Sequence, residues 1–258
     1  MEIFIICLTA LLGSALTFFS GFGLGTILLP VFSLFFPVEI SVALTAVVHF
    51  LNNIFKLFLV GSNIDKHTLL RFGLPSIIAA FLGAFLLHYL SDLPPIFQFS
   101  FWGKTREITL VKLIIALLLM FFSLFELAPQ LKNLEFNKKY LPFGGLLSGF
   151  FGGLSGHQGA LRSAFLIRSG LSKERFIATG VAIACLIDVS RLSVYVQNIS
   201  QISSEKIDIQ LLVFATLSAF LGAYWGNKIL KKITISSVQM VVAVALMIFS
   251  VFLALGMV

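Results

Sequence analysis

Apolar residues fall into eight blocks along the chain, at about residues 3–36, 40–61, 69–90, 108–127, 141–167, 174–197, 209–229 and 233–257. Crossing a bilayer's hydrocarbon takes about 20 apolar residues in a helix, and six blocks have that length. The first is far too long for one crossing, and Gly21-Phe22-Gly23-Leu24-Gly25 interrupts it. The fifth is interrupted by Gly152-Gly153 and by Ser155-Gly156-His157-Gln158-Gly159. Glycine is costly inside a helix, so these clusters predict breaks, with new half-helices starting near Gly25 and Gly159. Packing of close helices is the alternative use of such glycines.

The pattern repeats. At a shift of 135 residues, Ser20-Gly21 falls on Ser155-Gly156, Glu39 on Glu174, Asn53 on Asp188 and Lys56 on Arg191. At 139, Ala80-Phe81-Leu82-Gly83-Ala84 matches Ala219-Phe220-Leu221-Gly222-Ala223. The expected fold is an all-α polytopic membrane protein of two repeats. Residues 1–127 form the first, 128–140 a cytoplasmic linker and 141–258 the second. Each repeat is a glycine-broken hairpin or re-entrant segment plus three transmembrane helices. Such duplications are typical of secondary transporters.

Loop charge sets the orientation. If both broken segments are hairpins, one side gathers Lys66, Arg71, Lys132, Lys138, Lys139, Arg168, Lys173, Arg175, Lys228, Lys231 and Lys232. The other keeps Lys104, Arg106 and Lys206. The positive-inside rule makes the first side cytoplasmic and both termini extracytoplasmic. Three crossings per repeat then make the repeats inverted.

Composition supports a lipid-solvated surface: 59% of the 258 residues are hydrophobic and 11% charged, against about 25% charged in soluble domains. The net charge of +7 is scattered between apolar blocks and forms no stripe for nucleic acid. Cys7 and Cys185 lie singly in apolar blocks, without disulfide or metal-ligand spacing. Met1-Glu2 precedes apolar residues with no basic stretch, so the first block is expected to be retained and not cleaved.

Chemistry must come from the few polar residues inside the blocks, where charge is expensive. His49, Asn52, Asn53 and Lys56 share one helix face at spacings of three and four. Asp188 and Arg191 occupy the equivalent place in the second repeat, three apart, where they can neutralise one another. His157, Gln158 and Arg162 lie in and just after the second break. Half-helix N-termini carry unpaired N–H groups and partial positive charge, which suits an anion. The expected substrate site is therefore Arg162, His157, Gln158, Gly156, Gly159, Gly21, Gly23, Gly25, Asn53 and Asn52. His49, Asp188, Arg191 and Lys56 are the candidates for proton coupling or a charge network. His67 and His88 lie in or near loops. Trp102 and Trp225 read as interfacial or packing aromatics.

Over its whole length the chain resembles the TauE/SafE family of sulfite and organosulfonate exporters, also described as a sulfonate-uptake permease group. The resemblance lies in Ser20 to Gly25 with Pro30 after it, in Gly149 to Gly156, and in Gly170-Leu171 to Ala178-Thr179. The second run departs from the family pattern: His157 to Arg162 replaces its glycine-rich continuation, and Phe165 takes the proline position. The resemblance implies secondary transport of small sulfur-containing anions across a bacterial-type inner membrane.

The expected function is a secondary transporter that moves sulfite or an organosulfonate across the cytoplasmic membrane by alternating access. An anion channel is the alternative, and an intramembrane enzyme a more distant one. No nucleotide-binding motif, metal set or nucleophile–base set is present, so neither cofactor nor catalysis is expected. The expected partners are the anion, the lipid bilayer and, as an open question, further copies of the chain.

Overall fold

In hydrocarbon every backbone N–H and C=O must be satisfied within the segment, which leaves helices as the economical structure for such a sequence. The computed structural model describes residues 1–18, 23–101, 103–128, 136–202, 208–229 and 235–258; Gly21, Trp102, Lys132, Lys206, Lys231 and Lys232 lie outside them. The helices are α1 (Glu2–Thr17), α2 (Leu24–Ser33), α3 (Val38–Val60), α4 (Lys66–Ser91), α5 (Leu110–Leu127), α6 (Leu141–Ser155), α7 (Gly159–Leu166), α8 (Lys173–Ile202), α9 (Ile209–Ile229) and α10 (Ile235–Ala254). Four are long and apolar enough to cross a membrane: α3, α4, α8 and α9. The chain is a multi-pass α-helical membrane protein.

Both long blocks break where glycine predicts. The 10 residues of α2 and 8 of α7 span about 15 and 12 Å, roughly half a bilayer core. Gly156 ends α6 at φ 80°, a left-handed conformation open to glycine without a Cβ clash. The chain then doubles back. Gly144, near the start of α6, packs on the Phe165 ring near the end of α7, and the Phe136 N–H donates to the Ala164 carbonyl at 3.4 Å. In the first block, Gly13 of α1 packs against Leu24 and Ile27 of α2.

The two halves exchange their packing. On α6, Gly145, Gly149 and Gly153 lie against the carbonyl oxygens of Phe72, Ser76 and Ala80 on α4, so the two helices run parallel. A Cβ at any of these glycines would overlap the facing carbonyl, and this small-residue stripe is what lets the backbones meet. Gly83 of α4 abuts the Phe150 carbonyl, and Gly222 of α9 abuts the Leu11 carbonyl of α1. Gly83 and Gly222 are 139 residues apart, as are Leu11 and Phe150. The same contact is thus made twice, each time between halves.

Equivalent helices also meet. Asn53 of α3 touches Asp188 of α8, while Asp65, beyond the end of α3, meets Thr179 and Arg175 near the start of α8. These helices therefore run antiparallel. So do α5 and α10, since Arg106, before α5, donates to the carbonyl of Met257, after α10, at 2.8 Å. Buried apolar clusters fill the space where α3, α5, α8 and α10 meet, where α1 and α2 meet α9, and where α4 meets α6 and α7.

One element is not helical. Between α4 and α5, β1 (Phe97–Phe101) pairs antiparallel with β2 (Lys104–Ile108), Phe97 opposite Ile108, around Gly103 at φ 71°. The alternation of Phe97, Phe99 and Phe101 with Gln98 and Ser100 carries this signal, but it is short and falls outside the apolar blocks.

Candidate functional site

The polar face of α3 points inward. Its eight-residue run from His49 to Lys56 spans about two turns, and His49, Asn52, Asn53 and Lys56 are all buried. Opposite stands α8 with Asp188 and Arg191, both fully buried, and beside them the second break with Gln158 and Arg162.

Asp188 is the hub. Its Oδ1 accepts from Arg191 Nη2 at 2.7 Å and Nε at 3.0 Å, and from Gln158 Nε2 at 3.4 Å. Its Oδ2 meets His49 Nδ1 at 2.7 Å and accepts from Asn53 Nδ2 at 3.3 Å. A carboxylate has about four lone-pair sites, so this one is saturated. The two-bond contact with Arg191 sets one charge against the other. Arg191 also reaches the Gly152 carbonyl at 3.5 Å, and its Nη1 lies against Gly156, which closes the network onto the break. With its Nδ1–H donating to Asp188, His49 has Nε2 directed at Gly23, the residue before α2.

Two cations have no such partner. Arg162 Nη1 donates to Gln158 Oε1 at 3.2 Å, and Gln158 Nε2 in turn donates to Asp188, so the hydrogen-bonded link from Arg162 to Asp188 among the described residues runs through that neutral amide. Lys56 has its ammonium 5.4 Å from the Phe18 ring centre, and neither cation forms an ion pair among the described residues. Both line a cleft of about 480 Å³ of empty space, solvent at its mouth included. Gly23 and Leu24 at the N-terminus of α2, His49, Asn53 and Ser163 line it with them. The N-cap Gly23 supplies no side-chain hydrogen bond, and with Gly23 and Leu24 in its wall the cleft lies at the N-terminal end of α2. The cleft thus gathers two cations that form no ion pair among the described residues and the N-terminal end of a helix.

A model of the sulfite exporter TauE/SafE family matches residues 6–253. The protein belongs to the TauE/SafE family. No curated protein matches the chain. As a TauE/SafE member it is a membrane transport protein of sulfite or sulfonate type.

The structure sorts the residues that the sequence groups together. Arg162, Asn53, Gly23, His49 and Lys56 reach the cleft. Gln158 stands behind it as the link to Asp188. Gly25 packs against Thr45 and His49 of α3, and Gly159 opens α7. His157 turns away: its ring stacks on Phe122 of α5 with centroids 6.0 Å apart, and Nδ1 meets the Ser155 carbonyl at 3.0 Å. Asn52 also faces elsewhere, accepting from Ser14 of α1 at 3.1 Å. Thr17, Phe18, Ser163 and Gly180 line the cleft without any signal in their residue types. Tyr195, whose hydroxyl donates to the Gly153 carbonyl, secures α6 to α8 beside the network.

Proposed function

We propose that this TauE/SafE member carries a small sulfur-containing oxyanion, sulfite or an organosulfonate, across the cytoplasmic membrane by alternating access. The observation that supports this reading is the cleft between the two helix breaks, which Lys56 and Arg162 line without a carboxylate partner among the described residues. The Arg162 guanidinium offers paired N–H donors to a planar face of oxygens. Lys56 adds a point charge from the opposite half, and the N–H groups of α2 complete the shell. Asn53 donates within the same cleft, and Gly23 allows the anion to approach backbone.

The two halves, 1–127 and 141–258 joined by 128–140, act in this proposal as inverted repeats. Antiparallel α3 and α8 and the exchanged seams support it. The loops that carry Lys66, Lys138, Lys139, Arg168, Lys173 and Arg175 gather near Asp65 and Thr179, and the positive-inside rule makes that end cytoplasmic. The cleft reaches toward the same end through Phe176 and Ile177 of α8. Rocking of one half against the other then offers the anion to each side in turn. His49, in contact with both Asp188 and the first break, is the group placed to take up or release a proton during that exchange.

The test is sulfite uptake into proteoliposomes. Arg162→Ala is expected to lose at least about 10-fold of the wild-type rate and Arg162→Lys to retain part of it, because lysine keeps charge but not the planar fork. Wild-type rates in both variants remove Arg162 from the site. Counterflow separates carrier from channel: preloaded sulfite accelerates uptake by a carrier and not by a passive pore.

A further inference from the structure

The halves differ at one chemically decisive pair. In the second, Arg191 has a carboxylate three residues before it, and Asp188 holds it at 2.7 Å. In the first, the residue three before Lys56 is Asn53, which is neutral and turned toward Asp188. Of two equivalent cations, one is therefore neutralised within its own helix and the other is not. Lys56 is 5% exposed, lines the cleft with its ammonium over the Phe18 ring, and forms no ion pair among the described residues. Arg162 lines the same cleft from the other half, so the cavity carries two positive groups from opposite sides.

From this asymmetry we infer that Lys56 is a specificity-determining residue that reads a second negative charge on the transported anion, while Arg162 holds the first. This rests on the transport reading above and adds a charge rule to it. A dianion satisfies both cations. A monoanion leaves Lys56 buried and unmatched. A zwitterion brings an ammonium against Lys56, where no described lining residue is a carboxylate and both oxygens of nearby Asp188 are already occupied.

Three compounds that share a sulfonate end test the rule in proteoliposomes of the full-length protein: sulfoacetate with a carboxylate at the far end, isethionate with a hydroxyl and taurine with an ammonium. Wild-type protein is expected to take up sulfoacetate at least about 10-fold faster than isethionate, and taurine slowest. Lys56→Gln is expected to bring sulfoacetate down to the isethionate rate, which erases the wild-type ratio between the two; Lys56→Arg keeps the wild-type order. Equal uptake of the three by wild type, or an equal loss of all three in Lys56→Gln, overturns the inference and leaves the transport reading standing. Failure of wild type to move sulfite or any of the three overturns both. The wild-type order is informative even where a variant does not fold.

Discussion

Asn53 and Asp188 hold equivalent positions in the two halves and touch each other, the Asn53 amide donating to the Asp188 carboxylate at 3.3 Å. When equivalent residues of a duplicated chain are mutual neighbours, they lie where the halves meet. One member of the pair is an acid and the other its neutral isostere. The meeting point therefore holds one carboxylate where strict repetition would place two like charges in contact, which are mutually destabilising.

Removing Asp188 leaves Arg191 buried without its counter-ion. Asp188→Ala is expected to lower stability by about 3–5 kcal/mol, and Asp188→Leu combined with Arg191→Met to recover most of it. Thermal unfolding of purified protein in detergent, read as a double-mutant cycle, checks this. Additive losses would show that the two side chains do not act as a pair.

The α4–α6 seam depends on absent side chains. Gly149→Ala sets a methyl into the Ser76 carbonyl and is expected to cost about 1–3 kcal/mol or more, seen as a lower melting temperature and lower folded yield. Gly61→Ala is the contrast. Its added Cβ meets nothing closer than Leu57 Cβ at 3.8 Å, and it is expected to be neutral within about 0.5 kcal/mol.

At the loop end, Asp65 caps α4 through the Thr68 N–H at 2.8 Å and pairs with Arg175 at 2.8 Å. The Thr68 hydrogen bond first, and Arg175 among lesser causes, hold its carboxyl below the usual carboxylate range. The unfolded chain thus takes up this proton before the folded one as pH falls. The stabilisation is complete above the unfolded value near pH ~4 and is lost as pH drops through the lower folded value. Asp65→Ala is expected to cost about 1 kcal/mol at neutral pH, mostly the cap, because the ion pair is partly solvent-screened. Melting curves of the two proteins should converge on acidification; a gap that stays constant at low pH contradicts this assignment.

His157 and Arg162 lie five residues apart but face different ways. His157→Phe, which keeps an aromatic ring on Phe122, is expected to leave sulfite uptake within about 2-fold of wild type. Gln158→Leu cuts the relay between Arg162 and Asp188 and is expected to reduce uptake at least about 5-fold. Rates measured side by side in proteoliposomes decide both; a His157→Phe loss as deep as that of Arg162→Ala would return His157 to the site.

The sequence by itself determined the membrane class and where the half-helices begin. Half-helices expected near Gly25 and Gly159 start at Leu24 and Gly159. These features are local sums. Apolar residues accumulate over whole turns, and a glycine run weakens a helix wherever the chain lies. The Asp188–Arg191 bond was legible for the same reason, since a spacing of three puts both side chains on one helix face. Tertiary structure decided which cation stays unpaired, where His157 and Asn52 point, and that Gln158 links Arg162 to Asp188. It also decided that Asp65 finds Arg175 across the halves. Each of these depends on one side chain meeting another from a distant segment. A single rotation of α7 about its axis would change the partners of Arg162 while leaving its apolar period intact. Periodicity records which face leaves the lipid; packing between the halves selects what that face meets.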